Sequence, residues 1–302
     1  MSLVERAIGK IKRGGSSTSA GAGTAGTEAG AALGPLASEP APPQAGLAVE
    51  LPTAAPPRVL IDRDGLCAAG YLPEVTQNRQ FADQYRRIKR PLTAAVKTDK
   101  EPAVGHARVI LVTSALPGDG KTFTSINLAL SLAREKDTSV VLVDADAARP
   151  QVSRIFGVDA EPGITNALVD PNVNVESLIL QTDVEGLSIL PAGERSDHAN
   201  ELFASKRMTE VITRILARDP RRIVLFDSSP LLAATESRVL AGLAGQILLV
   251  VRCGKTPQHA VLDALNHIGS ENAVSLILNE ARPSLAEGLS GYGTYGAYGH
   301  DA

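Results

Sequence analysis

Only two cysteines occur among 302 residues, and Cys67 and Cys253 are too far apart for any metal-ligand spacing. A disulfide framework and a cysteine zinc site are thereby excluded, and a reducing compartment fits. Histidine is equally uninformative, since His106, His198, His259, His267 and His300 are scattered without a ligand pattern. Excess charge is missing as well: the net charge is -3 and the pI near 6.0. Binding nucleic acid without sequence choice needs a basic surface, so no nucleic-acid partner is expected. Long apolar runs are absent too. The run 247–251 falls far short of the roughly 18 residues that span a bilayer, and the N-terminus lacks the apolar core of a secretory signal. The expectation is a cytoplasmic chain without a span of its own, reaching the inner face of the membrane only through a partner.

Aliphatic residues are scarce from 14 to 57, where Gly, Ala, Ser, Thr and Pro predominate and Leu33, Leu36, Leu47, Val49 and Leu51 are too sparse for a core face. That stretch reads as a disordered linker. Before it, residues 1–13 place Leu3, Val4, Ala7, Ile8 and Ile11 at helical spacing between charges, a short amphipathic segment. After it, 58–91 reads as a helical attachment or oligomerisation segment, with a helix over 83–89 ended by Pro91. Residues 92–282 carry the folded domain, and 283–302 form a flexible tail too rich in glycine to pack.

Within the domain, short runs of Val, Ile and Leu at 109–112, 140–143, 187–190, 223–226, 247–251 and 274–278 alternate with helical patterns at 122–134, 200–217, 236–243 and 257–268. Continuous apolar runs of this length are strands covered on both faces. Their alternation with helices predicts an α/β fold, a mostly parallel, doubly wound sheet with helices on both faces.

The first predicted strand leads into Ala115-Leu116-Pro117-Gly118-Asp119-Gly120-Lys121-Thr122, and a helix follows. Ala, four residues and then Gly-Lys-Thr in that context is a P-loop, or Walker A motif. Pro117, Gly118, Asp119, Gly120, Lys121, Thr122 and Phe123 are expected to wrap the phosphates of ATP. The glycines let successive N–H groups curl inward, Lys121 reaches the outer phosphates, and the Thr122 hydroxyl is a ligand for Mg²⁺. The next strand ends in Asp144-Ala145-Asp146 with Arg149-Pro150 close behind, and ligands in open α/β sheets bind beyond such strand ends. If strand geometry continues, Asp144 and Asp146 point the same way, one for the metal and one for a nucleophile. A third strand delivers Asp227 after four apolar residues, the Walker B pattern, which would hold Mg²⁺ through water. Arg252 and Asn279 follow later strands, where a guanidinium could steady phosphate and an amide contact a base; a surface ion pair and a loop asparagine fit equally well.

At these motifs the chain resembles the bacterial tyrosine kinases, P-loop autokinases of exopolysaccharide and capsule assembly, over about residues 81–298. The segment Tyr85-Arg86-Arg87-Ile88-Lys89-Arg90-Pro91-Leu92 and the separate form resemble the branch associated with exosortase systems. The resemblance implies catalysis by Lys121, Asp144 and Asp146, with Asp144 as base toward a tyrosine hydroxyl. It implies a metal site of Thr122, Asp144, Asp146 and Asp227. Acceptors would be Tyr292, Tyr295 and Tyr298, three of the five tyrosines in the chain. It further implies a homo-oligomeric ring held through Asp83, Arg86 and Lys89, and a separate inner-membrane polysaccharide chain-length regulator as partner. Asp for Glu at 83 and Lys for Arg at 89 depart from the family's ring pattern and shorten its reach. Ser228-Ser229 replaces the usual Thr-Pro, and Glu236 the usual Asp.

The expected function is ATP-dependent phosphorylation of the protein's own tail tyrosines, regulating exopolysaccharide polymerisation and export. The alternative is a partitioning or positioning ATPase switch on the same fold. Such switches resemble one another in a second, early P-loop lysine that crosses the dimer; Leu116 occupies that position here.

Overall fold

The computed structural model describes residues 58–73, 78–98, 107–196, 198–268 and 272–281. The segment 1–13, the linker 14–57, and the tail 283–302 with Tyr292, Tyr295 and Tyr298 lie outside the described residues.

Eight strands form one sheet: β1 (Arg58–Val59), β2 (Val109–Ser114), β3 (Ser139–Ala145), β4 (Leu180–Thr182), β5 (Leu187–Leu190), β6 (Arg222–Ser228), β7 (Gln246–Arg252) and β8 (Ala273–Asn279). Their order is β1-β4-β5-β3-β6-β2-β7-β8, and every pairing is parallel except β4 with β5. Nine α-helices are described: α1 (Arg63–Ala68), α2 (Asn78–Thr98), α3 (Lys121–Ala133), α4 (Gln151–Ile155), α5 (Ile164–Val169), α6 (Ala199–Ala204), α7 (Lys206–Arg218), α8 (Thr235–Leu243) and α9 (Gln258–His267).

Each central strand alternates its side chains between two cores. Ile110 and Val112 of β2 join Leu66, Tyr85, Leu92, Ile126, Leu128 and Leu132 on one face of the sheet. Val109 and Leu111 join Phe203, Met208, Val211, Ile212 and Ile215 on the other. With both faces covered, alternation of polar and apolar residues has no advantage, which is why these strands read as unbroken apolar runs. The mostly parallel sheet with helices on both sides is the expected fold.

Three departures have local causes. Helix α2 does not end at Pro91 but runs through it to Thr98. Proline removes one helical hydrogen bond, yet Leu92, 2 % exposed, anchors the next turn in the core, and its carbonyl accepts from Gln246 Nε2 at 3.3 Å. The helical pattern 200–217 is two helices, broken at Ser205, whose backbone is extended and whose hydroxyl donates to the Leu202 carbonyl at 2.7 Å. The short elements β1, β4, α1, α4 and α5 carry too few residues for any periodicity to show. Through β1, α1 and α2, residues 58–73 and 78–98 pack into the domain: Ile61, Leu66, Tyr85 and Leu92 are all buried in it. Among the described residues no helix is long and apolar enough to cross a membrane.

Because Leu92 holds the post-proline turn of α2 in place, Leu92→Ala is expected to destabilise the protein by about 2–5 kcal/mol. Urea denaturation measures it, and a loss below about 1 kcal/mol would mean that α2 is not integral to the core.

Candidate functional site

The site lies at the carboxyl ends of β2, β3 and β6, the three central strands. After β2 the chain turns through residues 115–120 into α3, and two glycines make that turn possible. Gly118 has φ +85° and Gly120 φ +97°, where other residues are strained. At Gly120 space adds to the dihedral, because a Cβ there would lie 2.0 Å from Asn279 Nδ2 and push that side chain off the Asp119 carbonyl.

The loop is held from outside. Asp119 Oδ2 accepts from the Leu116 N–H at 3.1 Å, its Oδ1 accepts from the Thr256 hydroxyl at 2.6 Å, and its carbonyl accepts from Asn279 Nδ2 at 3.0 Å. Asp119 and Asn279 therefore fix the shape of the loop and are not on the pocket wall. Arg252 is not on it either; its Nε donates to Glu280 Oε2 at 2.8 Å. Arg252 and Asn279, expected at the nucleotide, both have protein partners here, Arg252 in the ion pair that was the other reading of it and Asn279 on the backbone of the P-loop.

Inside the loop, α3 opens with Lys121 and Thr122. Lys121 Nζ is 3.4 Å from Asp146 Oδ2. The Thr122 hydroxyl donates to Asp227 Oδ2 at 2.8 Å, and the Ser125 hydroxyl, one turn further along α3, lies 2.8 Å from Asp227 Oδ1. Asp227 is fully buried, and α3 supplies the partners of both its carboxylate oxygens. Burial pushes its carboxyl up to about 6, while Lys121 and the Thr122 and Ser125 hydroxyls pull the other way.

Asp144 and Asp227 are register partners on adjacent strands. The two aspartates of β3 part company, however. Asp146 faces the pocket, whereas Asp144 is fully buried, with Oδ2 accepting from both the N–H and the hydroxyl of Ser153 at 2.7 Å and Oδ1 from the Asp146 N–H at 3.3 Å. In this conformation the two do not point the same way, because β3 ends at Ala145 and its alternation does not extend to Asp146. Burial first, and then the nearby Asp227, raise Asp144 to about 7. Asp146 Oδ1 lies 2.8 Å from the Ser229 hydroxyl, which is 3.2 Å from Glu236 Oε1, so the two departures at Ser229 and Glu236 meet in one buried contact.

These groups border a pocket of about 520 Å³ whose wall includes Gly118, Lys121, Thr122, Asp146, Arg149 and Ser229. Pro117, Gly120 and Phe123 line it too, and Tyr71 and Gln151 join them with no motif to announce them. Ser125 is legible in retrospect, three residues after Thr122 on the same helix face. Ser153 and Thr256 carry no sequence signal, because their partners are distant in the chain. Among the described residues no three His, Cys, Asp or Glu side chains converge as a metal cage.

Farther out, Asp83 and Arg86 pair on the exposed face of α2. Lys89 turns away from them: its Nζ is 2.6 Å from Glu135 Oε1 and 2.9 Å from the Ser131 carbonyl, at the end of α3. The three do not form one outward-facing row.

A glycine-rich loop between a central strand and a helix, with a lysine and a hydroxyl at the helix start and a buried aspartate opposite, defines a P-loop nucleotide-binding protein. The comparisons agree. The chain belongs to the AAA-domain family, whose profile matches residues 107–274. Its relatives are bacterial tyrosine-protein kinases. It is 28 % identical over 220 residues to tyrosine-protein kinase YwqD of Bacillus subtilis, covering 72 % of this chain and 86 % of that one. It is 30 % identical over 188 residues to tyrosine-protein kinase ptk of Acinetobacter johnsonii, covering 61 % of this chain and 25 % of that one. This chain thus matches most of the first protein and about a quarter of the second. Among solved structures, the VpsO kinase domain superposes with a TM-score of 0.56 at 27 % identity, over 69 % of this chain and all of that domain.

Two outcomes test the site. Gly120→Ala is expected to abolish nucleotide binding, read by calorimetry, and affinity within threefold of the parent would contradict the Asn279 contact. The native state also binds protons at Asp144 and Asp227 more tightly than the unfolded chain does. The nucleotide-free protein should therefore lose stability as pH rises from about 4 toward 7, with little further loss from these groups above that. Thermal melting across that range should show the slope, and Asp144→Asn should flatten it.

Proposed function

We propose that the chain is an ATP- and Mg²⁺-dependent protein-tyrosine kinase whose acceptors are its own Tyr292, Tyr295 and Tyr298, and that it regulates exopolysaccharide polymerisation and export. The observation that carries the reading is the convergence of Lys121, Thr122 and Asp146 on the pocket, with Asp227 behind Thr122. Kinship to tyrosine-protein kinases supports it, and so does the clustering of three tyrosines among glycines, which leaves a phenol little steric obstruction.

The residues fit ATP with a divalent ion. The loop with two left-handed glycines leaves room for phosphate against its N–H groups, Lys121 supplies positive charge, and the Thr122 hydroxyl with Asp227 behind it is a donor set for Mg²⁺. The bound metal nucleotide supplies the γ-phosphoryl group and shields its charge. Lys121 orients the outer phosphates and offsets the charge that builds there. Asp146 is the carboxylate an incoming hydroxyl meets in this conformation. Asp144, the base implied by resemblance, becomes available only when Ser153 releases it, although its carboxyl near 7 suits proton transfer. It joins the metal site under the same condition.

Ring assembly through Asp83, Arg86 and Lys89 requires Lys89 to leave Glu135. A separate inner-membrane chain-length regulator is the proposed activating partner, which would bring the protein to the inner face of the membrane.

Incubation with γ-labelled ATP and Mg²⁺ tests the reaction. Label on the tail should be lost at least a hundredfold in Lys121→Ala and in the triple change of Tyr292, Tyr295 and Tyr298 to Phe. Nucleotide hydrolysis without protein label, even with the membrane regulator added, would identify an ATPase switch instead.

A further inference from the structure

Tyr71 belongs to no motif, yet it stands on the wall of the pocket that holds Lys121 and Asp146. Its backbone is fixed from behind. The N–H donates to the Leu66 carbonyl at 2.8 Å, and the carbonyl accepts from Asn127 Nδ2 of α3 at 2.8 Å. The side chain is half-buried, and its hydroxyl makes one long contact, 3.4 Å to Gln151 Oε1. The ring is thus held in place by a rigid backbone and weakly occupied at its tip.

The rest of that wall divides by chemistry. Lys121, Thr122 and the P-loop glycines serve phosphate. Phe123, Ala148, Ala233 and Ala234 are apolar, and the three alanines leave space. Such a surface cannot hydrogen-bond phosphate, but it can accept a flat ring. Asp146 and Ser229 share this wall with Ala148, Ala233 and Ala234, so the apolar part and a carboxylate belong to one pocket. Asn279 and Arg252, at the ends of β8 and β7, do not line this wall.

We propose that Tyr71 is the aromatic wall of an acceptor slot. Its ring packs against the ring of the incoming tyrosine, and with Gln151 it sets how far that phenol reaches toward Lys121 and Asp146. Tyr71 is then a specificity-determining residue: a serine or threonine side chain would leave the slot unfilled, while a phenol fills it. The inference rests on the kinase reading given above and names how that site recognises its substrate.

The test uses the full chain with Tyr292, Tyr295 and Tyr298 changed to Phe, so that its own tail does not consume label. A peptide of residues 286–302 is offered as acceptor. Tyr71→Ala is expected to raise the acceptor KM about tenfold, the scale of one aromatic pair, with the ATP dissociation constant held within twofold. Tyr71→Phe keeps the ring and should hold the acceptor KM within threefold. An acceptor KM unmoved by Tyr71→Ala overturns the inference. So does a parallel loss of ATP affinity, which would place the ring in the nucleotide site, and so does label on Tyr71 itself. Peptide binding read by fluorescence anisotropy needs no transfer and separates the two claims. Absence of label with Tyr71-dependent binding overturns the kinase reading alone, whereas binding indifferent to Tyr71 overturns this one.

Discussion

The bond from the Thr122 hydroxyl to the Asp227 carboxylate is the contact on which the site depends. It joins the first turn of α3 to the end of β6, and β6 lies between β3 and β2 at the centre of the sheet. A fully buried carboxylate is tolerated only when its oxygens are occupied, and Thr122 and Ser125 occupy both of them. Satisfying Asp227 thus requires α3 to start where it does. That start requires the reversal at Gly118 and Gly120, which in turn places Lys121 beside Asp146. Loop shape, helix position and lysine placement are one constraint seen from three sides.

The charge balance of the resting site follows from the same burial. Asp144, Asp146 and Asp227 are all buried where β3 and β6 end, and the Lys121 ammonium lies beside Asp146. Burial first, and neighbouring carboxylates after it, raise Asp144 and Asp227, so each holds a proton more readily than an exposed carboxyl does. Phosphate entering the same space adds negative charge, so its binding is favoured when a cation enters with it. The loop N–H groups, which carry no net charge and sit at a helix start, bind anions without adding to the desolvation cost of another buried ion.

How much of this was legible in the sequence depended on how local each determinant is. The P-loop could be read because its chemistry is written in eight consecutive residues, and the six main strands because each is a short apolar run between turns. Asp227 could be read because strand and acid are adjacent. The inward turn of Asp144 could not, since it depends on Ser153 and on β3 ending one residue before Asp146. The clamp of Asn279 on Asp119 crosses most of the domain, so position gave the residue's neighbourhood but not its role. Proline at 91 misled for the opposite reason: a local rule was overridden by the burial of the next residue.

That override changes the status of residues 58–98. Read as an attachment, the segment would be a tether that a partner could peel away. Its buried side chains make peeling costly, because Ile61, Leu66, Tyr85 and Leu92 would each lose on the order of 1.5–3 kcal/mol of burial. Lys89, bound to the last turn of α3 through Glu135 and Ser131, adds a polar lock at the helix end. The same segment supplies Tyr71 to the pocket. A partner acting on this segment would therefore act on an element of the pocket wall, and α2 packs on α3, whose first turn carries Lys121 and Thr122.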